Sequence, residues 1–147
     1  MKAIIVTIAL GACLFLVACS TPYQHLGLGG GFTDKQIAPD TFKIHFRGNG
    51  YTPDKRAQDL AVLRAAELTL EHGYQYFTVL NAGSSDRGFV APVTGTVVGN
   101  TVIASGGGLY HFPGVDLVIK CTHEKTPGVQ DAKYVSWLIR ATYDLKT

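Results

Sequence analysis

The run from residue 42 to residue 80 constrains the fold most, because it predicts a strand, a long helix and a second strand in succession. Its first part alternates apolar and polar side chains, which is the period of a strand with one buried face. Its last part is rich in aromatic and β-branched residues, which favour strands. Thr52 and Pro53 predict the helix N-cap and first helical residue, and Gly73 predicts the C-terminal cap.

The predicted helix has a narrow polar face for a helix that lies on a sheet. Apolar or small residues fill both flanks, with Leu63 and Leu70 on one and Ala61 and Ala65 on the other. A sheet covers only one apolar stripe of a helix. We therefore expect the second flank to be covered by the C-terminal segment, by a loop or by another chain, and the C-terminal segment is the simplest choice. The polar sector contains Arg56, Arg64, Glu67 and Glu71.

The rest of the chain predicts a hairpin or loop, a third core strand and a final helix. Residues 93–98 and 101–104 flank a Gly-Asn pair that favours a two-residue β-turn, in a glycine-rich and almost uncharged segment. Residues 115–122 alternate as a core strand, with Cys121 on its buried face. Asp131 predicts the N-cap of the final helix, although a strand over residues 129–135 is an alternative. The predicted fold class is therefore α+β.

The first 18 residues have the features of a signal peptide. Lys2 precedes an apolar run over residues 3–17 that is too short to span a bilayer. The run ends in LVAC at residues 16–19, the pattern of a bacterial signal peptide that is cleaved before a lipid-bearing cysteine. An ordinary signal peptide and a short anchor helix are the alternatives. The polar residues that follow the cysteine favour lipid attachment at Cys19.

This interpretation divides the chain into a signal peptide (1–18), a lipidated flexible tether (19–38) and one α+β domain (39–147). The tether is predicted from its glycines and proline. Without Lys2 the net charge falls from +2 to +1, which indicates no nucleic-acid partner. Cys121 is then the only cysteine besides Cys19, so no intramolecular disulfide is expected.

Three short motifs resemble those of a family of small proteobacterial lipoproteins. They are STPYQ after the predicted lipid-bearing cysteine, FRGNGYT at residues 46–52 and LRAAELTLEHGY at residues 63–74. The resemblance implies lipid on Cys19 and a common fold, but the family has no established activity and no assigned catalytic residues. The resemblance also brings in the sorting rule of enterobacterial lipoproteins, in which an aspartate after the cysteine retains the protein at the inner membrane; Ser20 in that position implies attachment to the outer membrane, facing the periplasm.

The turn formed by Arg47, Gly48, Asn49 and Gly50 is the strongest candidate binding site, because it precedes a helix N-terminus. Free backbone N–H groups and the helix dipole suit an anion there. The motif departs from a dinucleotide fingerprint, since Pro53 replaces the third glycine. The simpler interpretation is a tight turn with a positive φ at a glycine or at the asparagine.

No pattern in the chain predicts catalysis, a metal site or a cofactor. The five histidines do not combine with a third ligand at a suitable spacing, and Ser84 and Ser85 lack the context of a nucleophile elbow. We therefore expect a non-enzymatic envelope interaction or structural module that is held to the membrane by lipid and has a possible envelope protein partner. Tyr134 and Trp137 either anchor such an interface or cover the edge of the core. The alternative function is a small anionic-ligand binding module that uses the glycine turn.

Overall fold

A computed structural model describes residues 20–98 and 101–146, with side chains described outside residues 87–110. These residues form a five-stranded antiparallel sheet, a separate two-stranded hairpin and two helices, so the predicted α+β class is confirmed. The elements in chain order are β1 (Gly31–Ala38), β2 (Thr41–Arg47), α1 (Asp54–Glu71), β3 (Tyr76–Ser84), β4 (Arg87–Val98), β5 (Thr101–Phe112), β6 (Gly114–Thr122), β7 (Gln130–Asp131) and α2 (Ala132–Thr142).

The sheet has the strand order β1-β2-β6-β3-β7, and its register defines two ends. Gly31 pairs with Arg47, Arg47 pairs with Gly114, and the next residue of β6 pairs with Ser84. We call this the basal end; α1 begins here, and the hairpin β4–β5 is inserted here between β3 and β6. The turns at residues 39–40, 73–75 and 123–129 lie at the opposite, distal end.

The core lies between one face of the sheet and α1, and α2 packs against α1. The alternation predicted for β2 and β6 is confirmed, since their apolar side chains are buried and the side chains between them are more exposed. The buried apolar residues of the sheet are Phe32, Phe42, Ile44, Phe46, Phe77, Val115, Leu117, Ile119 and Cys121.

The C-terminal segment covers α1 as expected, but it lies on the other flank. Tyr143 Oη, directly after α2, donates to Asp59 Oδ2 over 2.5 Å, and Arg140 contacts Glu67, so α2 follows the flank that includes Leu63. The alanine flank faces the sheet instead, because Thr69, one turn beyond Ala65, contacts β6. Alanine side chains allow the helix backbone to approach the sheet closely, which explains their place on this flank.

Three details of the prediction around α1 are wrong. Its N-cap residue is Pro53, one residue later than predicted, and no side chain caps it, because proline has no side-chain acceptor and Thr52 Oγ1 bonds Asn49 instead. Leu70 was expected in the core, yet it is 41% exposed near the end of the helix. Arg64 was expected in a solvated sector, yet it is buried and bonded to Asp34 and Glu71 over 2.8 Å each.

Most of the predicted tether belongs to the folded domain. Residues 31–38 form edge strand β1, and residues 20–30 pack against the basal end through hydrogen bonds and aromatic contacts. Glycine-rich composition suggested a linker, but Gly30 and Gly31 instead adopt positive φ values of 97° and 132° in a compact turn. The domain therefore begins well before residue 39, among the residues that the structure describes.

The predictions for the hairpin and for the final helix differ from the structure mainly in their bounds. β4 and β5 pair along their lengths, so the hairpin is longer than predicted, and its Gly-Asn turn lies outside the described residues. The final helix begins at Ala132 as predicted, and Asp131 caps it by accepting from the Tyr134 N–H over 3.0 Å. Ala132 and Ile139 are its buried residues, whereas Leu138 and Thr142 are exposed.

Candidate functional site

The predicted binding turn is tied to its surroundings by its own polar groups. Arg47 Nη2 donates to the Gly27 carbonyl over 2.9 Å, and the Gly48 N–H donates to the Pro113 carbonyl over 2.7 Å. The Asn49 N–H donates to Thr21 Oγ1 over 2.7 Å. An anion here would have to displace these bonds, so the geometry disfavours the binding site and agrees with a structural turn.

Position 48 requires glycine because there is no space for a side chain, and not because of its backbone conformation. No positive φ occurs between residues 48 and 50, where the sequence suggested one. A Cβ atom built on Gly48 would lie 2.7 Å from Pro113 Cγ and 3.0 Å from Thr52 Cβ. Glycine therefore permits β2, the start of α1 and the end of the hairpin to meet closely at the basal end.

Thr21, near the start of the described residues, is buried against Asn49 and Thr52 of this turn. We call this buried position the Thr21 seat. Thr21 is 0% exposed, and its backbone N–H donates to Thr52 Oγ1 over 3.0 Å. Its hydroxyl lies 2.7 Å from the same Thr52 oxygen, which in turn donates to Asn49 Oδ1 over 2.9 Å. The residue two positions after Cys19 is thus part of the buried structure. Sequence reasoning missed this contact because two threonines 31 residues apart carry no local signal.

Tyr23 extends the packing of the N-terminal segment onto α1. Its hydroxyl donates to Glu67, and its ring lies 4.9 Å from the Phe32 ring, centroid to centroid. The Arg140 guanidinium lies over the same tyrosine ring. Burial, together with the neighbouring carboxylate, raises the pKa of Tyr23 well above its ordinary value. Residues 20–23 therefore contact the basal end of the sheet, α1 and α2, and so join these three parts of the domain.

A short loop at the basal end projects an apolar side chain into solvent. Gly27 and Gly30 exchange two backbone hydrogen bonds of 3.1 and 3.2 Å, which places Leu28 at the tip. Leu28 is fully exposed, and Tyr51 in the neighbouring turn is 74% exposed. Both side chains therefore lie at the surface close to the seat of Thr21.

The base of the hairpin is fastened beside the same turn. The Ser85 N–H donates to the Gly114 carbonyl over 2.9 Å, and the Gly114 N–H donates to Asp86 Oδ1 over 3.1 Å. Hydrogen bonds from the Ser84 side chain and the Gly114 backbone lower the pKa of Asp86. The hairpin thus leaves the domain at the basal end.

A cavity of about 480 Å³ opens between the start of α1 and the ends of β3 and β6. Its rim carries Asp54 and Asp86, and His111 Nε2 lies 3.0 Å from Asp54 Oδ1. The acidic rim disfavours an anionic ligand, and no group of three metal-ligating side chains occurs among the described residues. The apolar residues that line the cavity are Val62, Val79, Ala82, Pro113, Val115 and Leu117.

The second helix carries an exposed aromatic surface. Tyr134 and Trp137 are 60% and 64% exposed, with ring centroids 6.1 Å apart. We call these two residues, with Leu70 and Leu138, the aromatic patch; the leucines are also exposed. Trp137 is therefore mostly exposed, beside Leu70 in a shallow groove between the two helices. The patch lies on α1 and α2, away from the basal turn.

Cys121 is not a reactive thiol in this structure. Its side chain is buried, and Sγ lies 3.4 Å from Thr69 Oγ1. Burial raises the pKa of the thiol, which disfavours the nucleophilic thiolate. The predicted small buried core residue is confirmed.

Comparisons of the chain with protein-family models, curated proteins and solved structures gave no significant match. The similarity to small proteobacterial lipoproteins therefore stays a prediction from short motifs. Within residues 20–98 and 101–146, neither helix has the length and apolar character needed to cross a bilayer.

Proposed function

We propose that the chain is a lipid-anchored protein of the bacterial envelope, cleaved before Cys19 and held by its lipid at the outer membrane, facing the periplasm. The LVAC pattern supports the cleavage and the lipid. The buried seat of Thr21 carries the proposal further, because it gives the residue two positions after Cys19 a structural role. Only Ser20 separates the buried Thr21 from the predicted lipid-bearing cysteine.

The seat also limits the distance between the domain and its lipid. Consecutive Cα atoms are about 3.8 Å apart, so the Cα of Cys19 lies within about 8 Å of the Cα of Thr21. Each buried lipid methylene contributes about 0.8 kcal/mol, and more than one acyl chain gives stable anchoring. The lipid would therefore hold the basal end close to the bilayer.

The aromatic patch supports a role as an interaction module with an envelope protein partner. Large exposed apolar residues that lie together mark interaction surfaces, and tryptophan and tyrosine are enriched among the residues that dominate binding. Trp137, Tyr134 and their leucine neighbours have these properties. The protein then acts by binding at the membrane, with no catalytic chemistry of its own.

Lipid attachment is tested by replacing Cys19 with Ala in the full chain. We expect loss of cleavage and lipid, measured by intact mass and by incorporation of labelled palmitate. Cys121→Ala is the matched control, because it removes the buried cysteine and should remain processed and lipidated. A Cys19→Ala protein that is still cleaved and lipid-labelled would overturn the proposal. Separation of inner and outer membranes then tests the location.

The interaction surface is tested with a photo-crosslinking amino acid at position 137 in cells. We expect one defined adduct that is lost when Tyr134 is changed to Ser. The same group at Glu124, which is exposed on the distal turn, is the matched control and should not form that adduct. An adduct with the mass of two copies of this chain would identify a homodimer rather than an envelope partner. Equal crosslinking from positions 137 and 124 would contradict the proposal that the aromatic patch is the interaction surface.

A further inference from the structure

We propose that the basal end of the domain contacts the lipid bilayer directly, through Leu28, Tyr51 and the hairpin β4–β5. The proposal rests on lipid attachment at Cys19 and goes beyond it. The lipid would bring the basal end close to the bilayer but would not by itself bring its side chains into contact with it. Here the surface of the folded domain would make that contact.

The two exposed side chains, Leu28 and Tyr51, both lie close to Thr21. Tyr51 is the neighbour of Thr52, which bonds Thr21, and Leu28 is two residues before Gly30, which contacts Thr21. Both are therefore near the point at which the chain leaves toward Cys19. A fully exposed leucine and a tyrosine exposed over most of its surface are costly in water, whereas the apolar–polar boundary of a bilayer suits both.

The Leu28 loop is held in place rather than free to fold back. Arg47 Nη2 donates to the Gly27 carbonyl over 2.9 Å, and the Leu26 N–H donates to the Phe32 carbonyl over 2.8 Å. Gly30 also packs against Thr21, with no room for a Cβ atom. The loop therefore presents Leu28 outward in a defined direction.

The hairpin β4–β5 has an almost uncharged composition and emerges from the same end of the domain. Residues 88–110 contain no Asp, Glu, Lys, Arg or His. Exposed hairpin edges in water are usually protected by charged side chains, and this segment has none. Its base lies beside the Thr21 seat, because the Gly48 N–H donates to the Pro113 carbonyl over 2.7 Å. An uncharged hairpin thus emerges from the end of the domain where the lipid would be attached.

The interfacial region of the bilayer is the environment that fits this hairpin. An isolated two-stranded ribbon in hydrocarbon would leave the backbone groups of its outer edges unpaired, which strongly disfavours that location. Water and headgroups satisfy such groups at the membrane surface. The hairpin would therefore lie at the interface and not cross the membrane. The distal end would face the periplasm, with the sheet between.

The experiment places single spin labels on the full, lipidated protein in vesicles of phosphatidylethanolamine and phosphatidylglycerol. Labels at Leu28→Cys, Tyr51→Cys and Ser105→Cys test the basal end, and Thr126→Cys on the distal turn is the matched control. We expect collision with dissolved oxygen to exceed collision with a water-soluble nickel chelate at the three basal positions. The control should show the reverse, with several-fold greater access to nickel.

The outcomes separate this proposal from the one it depends on. Intact mass reports the lipid on the same samples, and loss of that lipid would overturn both. Lipidated protein with equal nickel access at positions 28, 51 and 126 would overturn bilayer contact alone. Protection at these positions in native membranes but not in lipid vesicles would show that another protein covers the basal end, which also overturns it.

Discussion

The hydroxyl oxygens of Thr21 and Thr52 lie 2.7 Å apart, inside the domain, and join the first described turn to the start of α1. The Thr52 hydroxyl donates to Asn49, so the Thr21 hydroxyl is left to donate to Thr52. The two side chains thus satisfy each other and the Asn49 N–H in one small network. This network fixes Thr21 at the basal end of the domain.

Thr52→Val should release the N-terminal segment. The change keeps the shape but leaves the Thr21 N–H and hydroxyl without the Thr52 oxygen that accepts from them, at a cost of about 1–3 kcal/mol. We expect a lower urea midpoint and faster proteolysis within residues 20–30. Thr33→Val on the exposed face of β1 is the control and should change neither. Unchanged proteolysis in Thr52→Val would show that the seat does not hold the segment.

Leu63→Ala and Leu70→Ala should differ strongly, although both leucines lie on one flank of α1. Leu63 is 0% exposed, so its truncation should cost about 2–5 kcal/mol. Leu70 is partly exposed at the aromatic patch and should cost much less. Thermal unfolding of the two variants measures the difference. Similar melting temperatures would contradict the packing of α2 along this flank.

Glu67→Gln should destabilise the protein, although sequence periodicity places Glu67 in a solvated sector. The carboxylate accepts from Tyr23 and pairs with Arg140, which joins the N-terminal segment, α1 and α2. Loss of a hydrogen bond to a charged group costs about 1.5–3 kcal/mol. Glu124→Gln, on an exposed turn, is the matched control. Equal free energies of unfolding for the two variants would contradict this role.

Asp86 should contribute to the pH dependence of stability at the base of the hairpin. Its pKa in the folded state is lowered by the Ser84 and Gly114 hydrogen bonds. Its contribution is therefore present above the ordinary value of 3.8 and is lost as the pH falls through the lower folded pKa. Urea unfolding between about pH 2 and pH 6 should show a shallower acid slope for Asp86→Asn than for the unchanged protein. Equal acid slopes of the unfolding free energy for the two proteins would contradict this contribution of Asp86.

Inorganic phosphate should leave the turn at residues 47–52 unchanged. Its amide groups at Gly48, Asn49, Tyr51 and Thr52 already have acceptors within the chain. We expect no saturable shift of these amide resonances in a titration followed by NMR. A saturable shift confined to this turn would support the anionic-ligand function instead.

Local patterns in the sequence determined most of the secondary structure. Alternation in β2 and β6 and the Asp131 cap arise from contacts within a few residues, so the sequence predicts them directly. The order of the strands, the flank of α1 that α2 covers and the burial of Arg64 required the tertiary structure. They depend on pairs such as Asp34–Arg64 and Glu67–Arg140, whose separation along the chain leaves no periodic signal.

The N-terminal segment shows this difference most clearly. The lipid-site pattern at residues 16–19 is local and can be recognised from sequence alone, and the glycines after it predict a linker. Only the tertiary structure placed Thr21 against Thr52 and Tyr23 against Glu67, because the partners of these side chains come from the basal turn and α1. Glycine permits both a flexible linker and a tight turn, and the choice depends on whether distant residues supply hydrogen bonds and packing to hold the turn.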